Sequence, residues 1–168
     1  MATSVVTIRP ARALDAAAVA AIYNEGIAER VATFETRERG VDEVKTWLAA
    51  ELPFLVAVDG DEVLGWARLS DYSDRCVYTG VAEHAVYVAG AARGRGVGRR
   101  LLEALCEQAA QHDLYKVTSR VFTDNLASRA VHRAAGFEEV GIQRRHGRLD
   151  GEWKDCVLVE RLVGEAAE

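Results

Sequence analysis

Apolar positions along this chain fall into blocks whose period switches between two and about four residues, the signatures of strand and helix. SVVTIRP opens with a strand pattern that Pro10 closes. Asp15 is placed to cap a helix carrying Val19, Ile22 and Ile27. ERVATFETRERG is polar and has no period, and Asp42 then opens a short helix with Val44, Trp47 and Leu48. Phe54–Val58 and Val63–Leu69 are strand patterns joined through Asp59-Gly60-Asp61, a hairpin signal. SDYSDRCVYTG is a polar connector bearing aromatics, and VAEHAVYVAG is the next strand. Between Gly96 and Gln111, the residues Val97, Leu101, Leu105 and Ala109 recur every fourth position, a helical stripe. YKVTSRVFT predicts a further strand, and Asn125–Ala135 a short helix with Gly136 as its C-cap. The tail, EEVGIQRRHGRLDGEWKDCVLVERLV, predicts two antiparallel strands turning at Asp150-Gly151. No repeat, linker or low-complexity segment breaks this order, so one α/β domain is expected over residues 1–168.

Composition narrows the class. Apolar residues make up 49% of the 168, enough for a sizeable core and too many for disorder. The net charge of -5 argues against a nucleic-acid binder, and it makes the local basic run Arg93–Arg100 stand out. No apolar segment approaches the roughly 20 residues that span a bilayer, and MATSVVTIRPARALD lacks the apolar core of a signal peptide. Cys76, Cys106 and Cys156 are scattered and odd in number, so a reduced, cytoplasmic setting is expected. His84, His112, His132 and His146 show no ligand spacing, so no metal is expected.

The basic run carries the candidate chemistry. Arg93, Gly94, Arg95, Gly96, Val97, Gly98, Arg99 and Arg100 lie between a strand and a leucine-rich helix. A helix start offers unpaired N–H groups and partial positive charge. Glycines there form a nest of N–H donors, and arginines add bidentate phosphate bonding. Together they predict a phosphate site, most simply for a pyrophosphate. A nucleoside-triphosphate loop needs Gly-Lys-Ser/Thr, which is absent. A dinucleotide fingerprint needs a glycine where Arg99 stands.

Arg93-Gly94-Arg95-Gly96-Val97-Gly98 resembles the Arg/Gln-x-x-Gly-x-Gly/Ala motif of the GNAT acetyltransferases, and NLASRAVHRAAGF resembles the later asparagine-containing pattern of that family. IYNEGI, ATFET, RCVYTGVAEHAVYV and GEWKDCVLVER are similar to the phosphinothricin and methionine sulfoximine acetyltransferases within it. The resemblance covers nearly the whole chain. It implies an α/β fold with a mixed, mostly antiparallel sheet, helices on both faces, and two central strands splayed to admit the pantetheine arm. It implies acetyl-CoA as co-substrate, a small glutamate-like amine as acceptor, direct transfer in a ternary complex, and a homodimer.

Site residues follow from the same resemblance. Arg93 to Arg99 would hold the pyrophosphate, and Val86, Tyr87 and Val88 the thioester and pantetheine through the backbone. Asn125 and Ser128 would contact the cofactor, although Asn125 equally suits a helix N-cap. Glu83 is the candidate general base and His132, at the usual general-acid tyrosine position, the candidate acid. Phe34, Arg75 and Tyr78 would line the acceptor pocket with Glu83, Thr33 and Glu35 beside them. His84, adjacent to Glu83, should face the other side of the sheet as a packed histidine, unless the strand bulge typical of the family redirects it. Three readings stay open: an acetyltransferase for an amino acid analogue, one for another amine, such as a polyamine, drug or protein N-terminus, or a non-catalytic acyl-CoA-binding module.

Overall fold

The computed structural model describes residues 4–168. Its strands are β1 (Val6–Pro10), β2 (Phe54–Asp59), β3 (Glu62–Asp71), β4 (Val81–Val88), β5 (Lys116–Phe122), β6 (Glu138–Leu149) and β7 (Glu152–Leu162). The helices are α1 (Ala16–Glu29), α2 (Val41–Leu48), α3 (Val97–Gln111) and α4 (Leu126–Ala134). The strands form one sheet in the order β1-β2-β3-β4-β5-β7-β6. Every neighbouring pair is antiparallel except β4 and β5.

The pairing of β3 with β4 runs unbroken from Gly65–Val88 to Asp71–Ala82. The bulge implied for this strand is therefore absent, because each β4 residue from Ala82 to Val88 finds its partner on β3 without a register shift. Side chains alternate strictly across it. Glu83, Ala85 and Tyr87 share the face of Arg68 and Trp66, their neighbours on β3, and this face packs under α1 and α2 with Val19, Val44 and Val56. His84, Val86 and Val88 look to the other face, where Leu101, Leu102 and Leu105 of α3 are fully buried. Each such leucine contributes roughly 1.5–3 kcal/mol.

Two helix starts differ from expectation. Asp15 makes no side-chain cap on α1. Its carboxylate instead accepts from the Arg12 N–H at 2.7 Å and pairs with Arg9 at 2.8 Å. That pairing draws it back toward β1 and holds its carboxyl below the usual range. Helix α2 begins at Val41 behind Gly40, so Asp42 sits within the first turn. Asn125 does cap α4, accepting from the Ser128 N–H at 3.1 Å. Among the described residues, no helix is long and apolar enough to cross a membrane.

Candidate active site

Strands β4 and β5 pair at only three positions, Val81–Lys116, Ala82–Val117 and Glu83–Thr118, and then part. The gap that opens is walled by His84 to Tyr87 on one strand and Ser119 to Val121 on the other. Asn125, Ser128 and His132 close it from α4 around a cavity of about 90 Å³. The Ala89 N–H donates to the Leu64 carbonyl of β3 at 2.8 Å. Backbone groups of a strand alternate sides, so the amides of Val86 and Val88 point away from β3, into the gap.

At the far end of β4 the chain reaches the glycine-arginine run. Gly94 and Gly96 take φ of 78° and 75°, and α3 starts at Val97. A Cβ on either glycine would meet nothing within 4 Å, so backbone conformation and not space requires glycine there. The N–H groups of Gly94, Arg95, Gly96, Val97, Gly98 and Arg99 donate to no group among the described residues. Six successive free donors at a helix start make an anion cradle. The arginines are more occupied than their number suggests. Arg93 grips Glu29 with two bonds of 2.9 Å, Arg95 lies 3.5 Å from Asp59, and Arg99 meets Glu103 at 2.8 Å. Among the described residues only Arg100 of the run has no ion-pair partner, so most of the free donors are the backbone's.

On the α4 side of the gap, His132 and His84 are both buried, and their Nε2 atoms are 2.9 Å apart. His132 Nδ1 lies 2.7 Å from the Ser128 carbonyl, which assigns its proton to Nδ1. His132 Nε2 then accepts from His84 Nε2–H. Burial pushes both imidazoles below their ordinary range, His84 well below, with the neighbouring His132 adding to its shift. Neither His132 nitrogen is free for a ligand, and the polar group beside it is the Ser128 hydroxyl, 3.3 Å from Nδ1.

Glu83 stands on the opposite face, two residues before Ala85, and accepts from Arg120 at 3.1 Å. It lines neither cavity directly, but Arg120 borders the first one. Among the described residues no three His, Cys, Asp or Glu side chains converge to hold a metal ion.

Residues 19–137 match the acetyltransferase (GNAT) family. This chain belongs to that family. The acetyltransferase is 33% identical over 159 residues to the L-methionine sulfoximine/L-methionine sulfone acetyltransferase of Pseudomonas paraeruginosa, covering 92% of each chain. It is 32% identical to the phosphinothricin N-acetyltransferase of Streptomyces coelicolor, covering 95% of this chain and 97% of that one. Among solved structures it is similar to yncA of Salmonella typhimurium, a putative acetyltransferase determined with its cofactor acetyl-CoA. The TM-score is 0.92 at 29% identity, covering 98% of both chains.

The acetyltransferase also has a second cavity, of about 290 Å³, on the α1/α2 face. Ala85 and Tyr87 border both cavities. Its other walls are Tyr23, Trp47 and Trp66, with Glu35, Arg39 and Arg68 as its charged members. As site residues, sequence reasoning named only Glu35 and Tyr87 of this set. Arg68 sits in a strand whose alternation marks it merely as one more polar position.

The expected acceptor residues are not brought together here. Arg75 lies on the exposed connector over the Tyr78 ring, at 5.5 Å, and neither lines either of these two cavities. Phe34 packs edge-on against Phe122 at 4.8 Å and over Gly147, where a Cβ would approach it to 2.7 Å. It anchors a small apolar cluster with Leu149 and Cys156.

Proposed function

We propose that this chain moves an acetyl group from acetyl-CoA to the α-amino group of a small glutamate-like amino acid analogue, by direct transfer in a ternary complex. The observation that carries this reading is the adjacency of two cavities across Ala85 and Tyr87, one of them leading along β4 to six free amides. The amide cradle of Gly94 to Arg99 fits a pyrophosphate. The gap fits an extended arm that replaces the missing strand pairing. Acetyl-CoA supplies an activated thioester there.

The chain's own groups have distinct tasks. Amides of Val86 and Val88 face the thioester and stabilise charge on its carbonyl oxygen, where one donor is worth roughly 3 kcal/mol. Glu83, on the face of the second cavity, takes the proton that the amine must lose before it attacks. The second proton, shed by the nitrogen as the amide forms, goes to the departing sulfur, to which the Ser128 hydroxyl, 3.3 Å from His132 Nδ1, donates a hydrogen bond. Asn125 orients the arm. A homodimer belongs to this reading, supported by the exposed Val140 and Ile142 of edge strand β6, and so does a cytoplasmic setting.

Glu83→Gln tests the enzyme reading against a binding module. It should lower kcat by about 100-fold or more while acetyl-CoA affinity stays within about twofold. Unchanged turnover would remove Glu83 as the base.

A further inference from the structure

Arg68 occupies an unusual position for a cation. It lies at the centre of the sheet, directly opposite Ala85 on β4, and its guanidinium is partly buried against the Trp47 ring at 4.6 Å. Burial pulls its pKa down from the ordinary arginine value. No carboxylate among the described residues lies within salt-bridge distance of it. The acid of the same cavity, Glu35, is held by Arg39 at 2.7 Å, and Arg39 is also within 3.7 Å of Glu43. Two guanidiniums thus border the cavity against one carboxylate, and Arg68 is the one left over.

A desolvated, unpaired guanidinium is costly unless something of opposite charge joins it. The surroundings say what fits. Trp66, Trp47, Tyr23 and Tyr87 give flat apolar walls, and the small Ala85 leaves space beside Arg68. Trp66 Nε1 is buried with no hydrogen-bond partner among the described residues. A fork of guanidinium donors matches a compact oxyanion bidentately. Arg68 is also the diagonal neighbour of Glu83 across β3 and β4, roughly 7 Å away backbone to backbone. One small molecule spans that distance with an amine toward Glu83 and an anion toward Arg68.

We infer that Arg68 is the anion-reading residue of the acceptor pocket, and that the acceptor is a small amine carrying a carboxylate or phosphinate which sits on this guanidinium between the aromatic walls. This rests on the acetyltransferase reading above and adds the residue that selects the substrate's charge.

Trp47 and Trp66 line the cavity and report on it. The third tryptophan, Trp153, lies elsewhere with Arg148 stacked on it at 4.1 Å, so Trp153→Phe isolates the signal. In that background, phosphinothricin is titrated by tryptophan fluorescence, and acetyl-CoA binding is measured separately by calorimetry. Arg68→Met should weaken phosphinothricin binding by roughly 10- to 100-fold and leave acetyl-CoA affinity unchanged. Arg68→Lys should recover part of the loss, as a charge without the fork. Replacing the α-carboxylate of the probe by an amide separates the two anion sources. If the amide loses affinity only in the protein with Arg68, the carboxylate is the partner. If it binds as well as the parent and remains sensitive to Arg68→Met, the phosphinate is. Equal phosphinothricin affinity with and without Arg68 would overturn the inference. So would the absence of any response in the Trp153→Phe protein, even with acetyl-CoA turnover intact on another amine.

Discussion

His84 and His132, 48 residues apart, meet nitrogen to nitrogen at 2.9 Å in the wall of the gap between β4 and β5. Both are buried and both have depressed pKa values, so the pair is neutral at pH 7. The pairing leaves neither His132 nitrogen free, and the Ser128 hydroxyl lies 3.3 Å from its Nδ1.

Stability should therefore fall as pH drops below 6.5, the ordinary imidazole value. In that window the unfolded chain takes up protons that the folded pair refuses. Each group contributes a slope of up to about 1.4 kcal/mol per pH unit, with stability complete above 6.5 and lost on the acid side. His84→Gln keeps a donor for His132 Nε2 but removes one proton site. Denaturant unfolding between pH 7 and pH 5 should show a shallower acid loss in this variant. Asp15, held low by Arg9, loses its contribution only below about pH 4 and leaves the window clear. An identical slope in the variant would mean the pair does not titrate as described.

Gly96→Ala should weaken acetyl-CoA binding. The φ of 75° costs an alanine roughly 1–2 kcal/mol, and relief of that strain disturbs the amide cradle. A Kd increase of about tenfold follows. Gly151→Ala is the control, since φ is 82° at the β6–β7 turn and a Cβ there meets nothing within 4 Å. It should lower Tm by a similar amount and leave the acetyl-CoA Kd as it was. Calorimetry on both variants separates loss of the cradle from general destabilisation.

Asn125 has two duties that different substitutions divide. Its Oδ1 caps α4, and its Nδ2 donates to the Val31 carbonyl at 3.1 Å, tying down the segment that leads into residues 32–40. Asn125→Ala should cost about 1 kcal/mol or more through the cap alone. Asn125→Asp keeps the cap and loses the tether. It should recover most of the stability yet still show faster amide exchange around Val31. Equal exchange in wild type and the aspartate variant would show that the tether does not order this segment.

Much of this was legible in the sequence because it is local. The glycine-arginine run announced a loop entering a helix, and the structure adds that the arginines are largely paired with Glu29, Asp59 and Glu103. Those partners come from other elements, so no spacing reveals them. The cap at Asn125 and the turn at Asp150-Gly151 are short-range chemistry and are where they were expected. Asp15 suited a cap by type, but Arg9 on the neighbouring strand claimed its carboxylate. Arg68 was hidden because its meaning depends on α1 and α2 roofing one face of β3. Phe34, expected in the wall of the acceptor pocket, packs on Phe122 and over Gly147, partners some ninety to over a hundred residues later that no spacing reveals.

The most direct test of the account is acetyl-CoA turnover, read as free-thiol release, with phosphinothricin, methionine sulfoximine, spermidine or no acceptor at matched concentrations. The account predicts thiol release with the first two, well above the level without acceptor, and little with spermidine, whose cationic chain would face Arg68. Preference for spermidine, or no acceptor-dependent release from any of the three, would contradict it.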